Sequence, residues 1–166
     1  ISKEYKGLKN NSFFLYVGLG SAHKNIDFMV NAFLSTNTEK KLVICGKGHH
    51  IIKSNRIIYT GYIEDKYLDY LYQNCSAFIF PSKYEGFGLP IIEAMQFGLP
   101  IICSDIPVFR EIGKDTLLYF DPSDPMDICK KMTEILLVGR KTYSRWPTWD
   151  KTALSIANLF ENLMKY

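Results

Sequence analysis

Two glutamates separated by seven residues offer the clearest chemistry in this sequence. Glu85 and Glu93 flank two glycines, Gly86 and Gly88, and Pro90 precedes the second glutamate. Glycine lets a ligand come close to backbone N–H groups, and a carboxylate accepts hydrogen bonds from hydroxyls. The pattern therefore favours a ligand with hydroxyls at one end and phosphate at the other, such as a nucleoside diphosphate sugar.

A helix over residues 89–97 is expected to position this segment. Pro90 suits a first helical turn, Gly98 ends the pattern, and the helix N-terminus offers N–H groups to an oxyanion. We expect Glu93 in the first turn and Glu85 in the preceding loop, with both carboxylates facing one crevice. A purely structural alternative makes Glu85 a solvated loop residue and Glu93 a support for the helix dipole, with the glycines shaping a tight turn.

The remaining elements alternate between apolar runs that end near glycine and segments with helical spacing. Strands are predicted at 13–17, 42–45, 56–59, 77–80, 101–103 and 117–120, and helices at 24–34, 65–73, 89–97, 124–137 and 149–164. The side expected to be buried in the last helix comprises Ala153, Ile156, Ala157, Phe160 and Leu163. This alternation indicates an α/β domain with a Rossmann-like, doubly wound parallel sheet.

Three glycine turns, at residues 18–20, 46–48 and 86–88, each follow a predicted strand. Ligands in this architecture lie beyond the carboxyl ends of the strands, so the turns are expected to converge on one crevice. Lys24 follows the first turn at the predicted start of a helix. A diphosphate there would meet both the ammonium and the helix N-terminus, although a solvated helix-end charge is the alternative for a lone lysine.

Composition narrows the class of protein. The 166 residues are 47% apolar with a net charge of +3, which predicts a soluble globular domain and no nucleic-acid partner. The four cysteines are expected as buried free thiols in a reducing cytosol. The adjacent His49 and His50 are expected to be solvated rather than a metal pair. No Asp-x-Asp element follows a strand, so we predict no metal and no cofactor.

The string from Glu85 to Pro90, with Glu93, resembles the signature of family-four retaining glycosyltransferases of the GT-B fold, the glycosyl transferases group 1. The likeness extends from residues 14–18 through Lys24-Asn25 to 149–151. Such enzymes have two Rossmann-like domains with a cleft between them. The resemblance implies that residues 1–166 are a single donor-binding domain, that residues 1–11 end an interdomain connection, and that the acceptor-binding N-terminal domain is absent from this chain.

The resemblance also implies roles for individual residues on the donor side of the cleft. Lys24 would contact the donor diphosphate, Glu93 the ribose hydroxyls, and Glu85 the hydroxyls of the transferred sugar. Retention of configuration could use Glu85 as a covalent nucleophile, although the family is more often described as reacting on one face of the sugar. The loop residues expected to support sugar and phosphate are Gly86, Phe87, Gly88 and Leu89.

Further donor contacts follow from the same resemblance. Gly46, Lys47 and Ile63 match positions along the nucleoside, Gly18 ends the first strand, and Ser82 either lines the pocket or caps a turn. Leu19 stands where the family usually has arginine, and His23 stands where a subgroup has one. We predict that His23 takes the place of this second cation, with a solvent-facing histidine as the alternative.

The sequence therefore predicts the donor-binding domain of a retaining glycosyltransferase that adds a hexose or related sugar to a surface glycan or glycoconjugate. Its expected partners are a nucleotide sugar and the N-terminal acceptor domain. The expected location is the cytoplasm, with peripheral inner-membrane association through that domain. Leu19 favours a second interpretation, a non-catalytic nucleotide-binding module that kept the fold.

Overall fold

A six-stranded parallel sheet forms the centre of the computed structural model, which describes residues 8–143, 153–154, 157–158 and 160. The strands are β1 (Phe13–Val17), β2 (Lys41–Cys45), β3 (Ile57–Gly61), β4 (Ala77–Phe80), β5 (Ile101–Ser104) and β6 (Leu118–Phe120). Their order is β3-β2-β1-β4-β5-β6, and neighbouring strands run parallel. This confirms the predicted doubly wound α/β fold.

Four of the helices connect one strand to the next, and a fifth follows β6; the connection from β2 to β3 has no helix. These helices are α1 (Ile26–Leu34), α2 (Asp65–Asn74), α3 (Leu89–Gln96), α4 (Pro107–Gly113) and α5 (Pro125–Glu134), with 3-10 turns at Ala22–Lys24 and Ile135–Leu137. The sequence did not predict α4, because two turns are too short to show a helical repeat of apolar residues. Pro107 at the start of α4 is the one available signal.

The helices form a layer on each face of the sheet. On one face α1 packs against α5, and the ring of Phe33 meets Phe14 of β1 edge-on with centroids 6.2 Å apart. Right-handed crossovers place α2, α3 and α4 on the opposite face, where Tyr72 of α2 packs on Phe78 of β4. The connections after β1 and β4 therefore leave adjacent strands toward opposite faces, which makes a topological switch point between these two strands.

The two central strands, β1 and β4, have no exposed residues, as expected for a sheet covered on both faces. All residues of β4 and β5 are buried. The four cysteines are free thiols. Cys45, Cys75 and Cys103 are buried as expected, whereas Cys129 is only half-buried. Burial raises the pKa of Cys45 and of Cys75 to about 12.

These thiols provide a test of the fold. Because the thiolate is the reactive species, we expect dithionitrobenzoate at about pH 8 to modify Cys129 slowly in the folded chain. Cys45, Cys75 and Cys103 should react only after unfolding. Counting modified thiols with and without denaturant checks this, and Cys129→Ser should abolish the native signal. Rapid modification of two or more thiols in the native chain would contradict the described core.

The last helix departs from expectation. Ala153, Ala157 and Phe160 are helical, as predicted, but they are exposed rather than buried. An amphipathic pattern shows which residues share a helical face and not what covers that face. Ile156, Leu163 and most of the predicted connection at residues 1–11 lie outside the described residues.

Within the described part of the chain, no helix has the length and apolar character needed to cross a bilayer.

Candidate functional site

The two residues predicted to be catalytic meet at the switch point between β1 and β4. Lys24 Nζ donates to Glu85 Oε1 at 2.5 Å, and the side chains are only 17% and 13% exposed. The ammonium also lies 5.2 Å from the centroid of the Phe80 ring, at the end of β4. A cation from the β1 side and a carboxylate from the β4 side are therefore paired across this edge of the sheet.

An interruption between a 3-10 turn and α1 directs the Lys24 side chain toward Glu85. The predicted helix start at Lys24 is wrong, because Lys24 ends a 3-10 turn and α1 begins only at Ile26. Between them Asn25 adopts a left-handed conformation with φ of 56°, and its side-chain amide donates to the Pro122 carbonyl at 3.2 Å. Asparagine tolerates this conformation better than most residues. Lys24 is thus oriented by the turn rather than by α1.

The backbone fixes the same two segments to each other. The Lys83 N–H, in the loop after β4, donates to the His23 carbonyl at 2.8 Å. The His23 ring lies against Tyr84 with centroids 5.5 Å apart, and its Nδ1 is 3.3 Å from the Ser21 hydroxyl. Leu19, which stands where the family usually has arginine, is 65% exposed and supplies no cation. His23 therefore lies beside the Lys24–Glu85 pair, and its role as a second cation stays a prediction.

Glu93 has a different environment from Glu85. The helix α3 begins at Leu89, as predicted, but Glu93 is its fifth residue. With 3.6 residues per turn, Glu93 lies in the second turn, so the expectation of a first-turn position is wrong. The Tyr72 hydroxyl of α2 donates to Glu93 Oε2 at 2.9 Å. Burial and the Glu93 carboxylate raise the pKa of Tyr72, so the phenol stays a donor. Neither a role for Tyr72 nor this contact was predicted from the sequence.

The predicted glycines of the loop after β4 have separate tasks. Gly88 is the N-cap of α3 with φ of 89°, and a Cβ there would lie 2.9 Å from the Phe109 ring of α4. Gly86 has open space around it, whereas Phe87 and Leu89 are about half exposed, at 48% each. Gly88 thus brings α3 and α4 together, while Gly86 leaves room for a ligand.

The first two glycine turns interlock. Gly18 donates to the Cys45 carbonyl at 3.0 Å, Gly20 to the Lys47 carbonyl at 2.8 Å, and Gly46 to the Gly61 carbonyl at 2.9 Å. A Cβ on Gly46 would overlap the Gly18 carbonyl oxygen, and one on Gly20 would overlap Gly48. The backbones after β1 and β2 therefore approach too closely for any side chain between them.

Buried polar atoms without protein partners gather at the carboxyl ends of the strands. They include the Tyr16 hydroxyl, both ring nitrogens of His49, and the hydroxyls of Ser82 and Ser104. Leaving such a group unpaired costs about 1 to 3 kcal/mol, so these atoms suit a ligand or ordered water. Ser82 was predicted here as a pocket or capping residue, and its hydroxyl caps nothing within the described chain. Tyr16 and Ser104 were missed because each lies inside an apolar strand.

His49 corrects another expectation. Its ring packs between Tyr16 and Tyr59, with centroid distances of 5.8 and 6.4 Å, so it is not a solvated loop histidine. His50 is exposed, as expected, and its Nδ1 lies 3.5 Å from an Asp27 carboxylate oxygen. The difference arises because the turn after β2 folds back over the end of β1 and carries only the first of the two imidazoles inward.

The residues predicted to contact the nucleoside follow the carboxyl ends of β2 and β3. Lys47 is exposed, and its ammonium lies 5.7 Å from the centroid of the Tyr62 ring, which is 72% exposed. Ile63 is half-buried between β3 and α2.

A cavity of about 440 Å³ lies between residues 20–28 and 48–50. Its lining includes residues at the start of α1 but neither Lys24 nor Glu85, so it is separate from their ion pair.

Metal coordination was predicted to play no part. In residues 8–143 and the described positions of the last helix, histidine, cysteine, aspartate and glutamate form no group of three arranged to hold a metal ion. Metal independence stays a prediction to be tested with ligand.

Comparison with known proteins assigns the chain to a family. The model for "Glycosyl transferases group 1" matches residues 1–147. This chain belongs to that family. The match confirms the likeness first seen around Glu85 and Glu93.

Individual relatives agree with the group 1 assignment. The chain is similar to the serotype-specific mannosyltransferase WbdA of Escherichia coli, with 40% identity over 111 residues, 63% of this chain and 14% of WbdA. It is also similar to the O-antigen chain mannosyltransferase RfbU of Salmonella typhimurium, with 33% identity over 127 residues, 70% of this chain and 36% of RfbU. The chain thus spans only 14% of the length of WbdA and 36% of the length of RfbU.

A solved structure shares the fold. Sucrose-phosphate synthase from Thermosynechococcus elongatus superimposes with a TM-score of 0.73 at 22% identity, covering 93% of this chain and 46% of that one. This likeness supports the GT-B, Rossmann-like architecture.

Proposed function

We propose that this chain is the donor-binding domain of a retaining glycosyltransferase, which binds a nucleoside diphosphate sugar and takes part in transferring its hexosyl group to a surface glycan. The observation that carries the proposal is the Lys24–Glu85 contact at the switch point. There a cation suited to phosphate and a carboxylate suited to sugar hydroxyls lie together where this architecture binds ligands.

The chemistry follows from these two charges. The bond between the anomeric carbon and the diphosphate oxygen breaks, and the acceptor oxygen forms a bond on the same face of the sugar. The acceptor proton passes to the departing diphosphate. Lys24 stabilises the charge that develops on this leaving group, and Glu85 binds sugar hydroxyls beside the oxocarbenium-like centre.

The relatives support the classes of donor and acceptor. WbdA and RfbU are named as mannosyltransferases, the latter of an O-antigen chain, which favours a hexose and a surface polysaccharide for this chain. We further propose that an N-terminal domain supplies the acceptor site and brings the enzyme to the cytoplasmic face of the inner membrane. Glu85, Glu93 and the unpaired buried polar atoms at the carboxyl ends of the strands belong to the donor side of that cleft.

Calorimetry of the 166-residue chain with a panel of nucleoside diphosphate sugars tests the proposal. We expect at least one member to bind, with the same Kd in magnesium and in EDTA, and negligible transfer by this chain alone. The absence of binding across the panel would reject the donor site. Binding that requires magnesium would reject the metal-independent mechanism.

Glu93→Gln separates recognition of ribose from recognition of phosphate. The amide keeps an oxygen that can accept from Tyr72 but loses the charge that strengthens hydrogen bonds from ribose hydroxyls. We expect nucleoside diphosphate binding to weaken by about 1.5 to 3 kcal/mol, with pyrophosphate binding unchanged. Calorimetry with both ligands checks this. An equal loss for pyrophosphate would move Glu93 from the ribose to the phosphates.

The alternative is a non-catalytic module that binds nucleotide but transfers nothing. The exposed Leu19 favours it, because an arginine at this position would place a second cation beside the diphosphate. Sugar transfer measured with the complete enzyme and an oligosaccharide acceptor distinguishes the two. If Leu19→Arg creates transfer activity that the parent lacks, the parent is the module.

A further inference from the structure

The Glu85 carboxylate occupies the position expected for a ligand's oxyanion. It lies 2.5 Å from the Lys24 ammonium, and both side chains are largely shielded from water. A carboxylate at this distance neutralises the cation locally and repels an approaching anion. A diphosphate that binds to Lys24 must therefore displace Glu85 or bear the repulsion of its charge.

A second hydrogen-bond donor, without a partner of its own, lies against the same Phe80 ring as Lys24. The Tyr16 hydroxyl at the end of β1 is buried and has no hydrogen-bond partner. Its ring stacks on Phe80 with centroids 5.9 Å apart, and the Lys24 ammonium lies over the same Phe80 ring. Burial and the nearby Glu85 charge raise the pKa of Tyr16, so its hydroxyl keeps its proton. Tyr16 and Lys24 are thus two donors near one carboxylate.

We propose that Glu85 is an internal competitor of the donor diphosphate for Lys24, and that the Tyr16 hydroxyl donates a hydrogen bond to the displaced carboxylate. This inference rests on the proposed function, in which Lys24 binds the diphosphate. Tyr16 is then a positioning residue, because it acts on the ligand only through Glu85. The exchange couples the two ends of the donor: diphosphate binding releases Glu85 from Lys24, and Tyr16 holds it ready for the sugar.

The coupling predicts an unusual response to substitution. Glu85→Gln removes the competing charge and keeps the size of the side chain, so binding of inorganic pyrophosphate and of nucleoside diphosphates should tighten about tenfold. Tyr16→Phe should weaken both ligands about fivefold in the parent, because the displaced carboxylate then loses its hydrogen bond. In the Glu85→Gln background the same change should have less than about a twofold effect, since no displaced charge remains.

Calorimetry with pyrophosphate, GDP and UDP measures these effects on the 166-residue chain. Glu64→Gln is the matched control, because Glu64 forms a 2.6 Å ion pair with Lys66 that is about two-thirds exposed and belongs to the start of α2. It should leave all three affinities unchanged. Thermal melting of each variant shows whether it is folded, and Tyr16→Phe should fold normally because it removes only an unpaired hydroxyl.

The outcomes separate the inference from the proposed function. If the parent binds a diphosphate and Glu85→Gln fails to tighten it, Glu85 is not a competitor and only this inference is rejected. If Tyr16→Phe weakens binding equally in both backgrounds, Tyr16 does not act through Glu85. If neither the parent nor Glu85→Gln binds pyrophosphate, GDP, UDP or any nucleoside diphosphate sugar of the panel, the inference and the proposed function are both rejected.

Discussion

Replacing Gly46 with alanine is expected to lower the free energy of unfolding by about 3 kcal/mol or more. Gly46 has φ of 123°, which L side chains rarely adopt, and a Cβ there would overlap the Gly18 carbonyl oxygen. Both obstacles are backbone atoms or angles, so no side-chain rotation relieves them. Urea unfolding followed by circular dichroism measures the loss.

Gly139→Ala provides the control for that experiment. Gly139 has open space where its Cβ would lie, so this change should alter the free energy of unfolding by no more than about 0.5 kcal/mol. If Gly46→Ala were as well tolerated as Gly139→Ala, the interlocked turns after β1 and β2 would be wrongly described.

Lys24→Met is expected to weaken nucleoside diphosphate binding by about 2 to 3 kcal/mol, which is on the order of a hundredfold in Kd. Methionine fills similar volume over the Phe80 ring but supplies no charge and no donor. The Glu85 carboxylate also loses the partner to which it is paired at 2.5 Å, which adds repulsion toward the ligand. Calorimetry with the best nucleoside diphosphate of the panel checks this prediction.

Lys130→Met is the matched control for the loss of a paired lysine. Lys130 lies on α5, is 70% exposed, and is 3.8 Å from Glu134. Its removal should change the Kd by less than about twofold, because an exposed ion pair far from the switch point contributes little. Equal losses in the two variants would show that Lys24 acts through overall charge rather than by contact.

The sheet could be predicted from the sequence because buried parallel strands are continuous apolar runs that end at glycine. β1 and β4 have the predicted bounds, and β2, β3, β5 and β6 differ by one or two residues. The missed α4 and the misplaced start of α1 have a different cause. A two-turn helix shows no repeat, and a left-handed Asn25 leaves no pattern in the residues around it.

The site was predictable as a set of residues but not as a set of contacts. Glu85, Lys24 and the glycine turns follow from residue type and position after a strand. Their pairing does not, because Lys24 and Glu85 are 61 residues apart in sequence and their meeting depends on the direction of the turn before Asn25. Tyr16 and His49 were missed or misplaced because a polar atom buried at a strand end looks like an ordinary core or loop residue in sequence.

The packing of α1 against α5 has a consequence for biosynthesis. The Cys129 thiol of α5 donates to the Ala32 carbonyl of α1, and the Asn25 side chain donates to the Pro122 carbonyl. The partners in each contact are 97 residues apart in sequence. The apolar face of α1, made of Ile26, Met29, Val30 and Phe33, therefore leaves the ribosome long before its cover is synthesised. Such non-local order slows folding and prolongs exposure of apolar surface. We expect a chaperone that binds apolar segments to protect α1 until α5 has been synthesised.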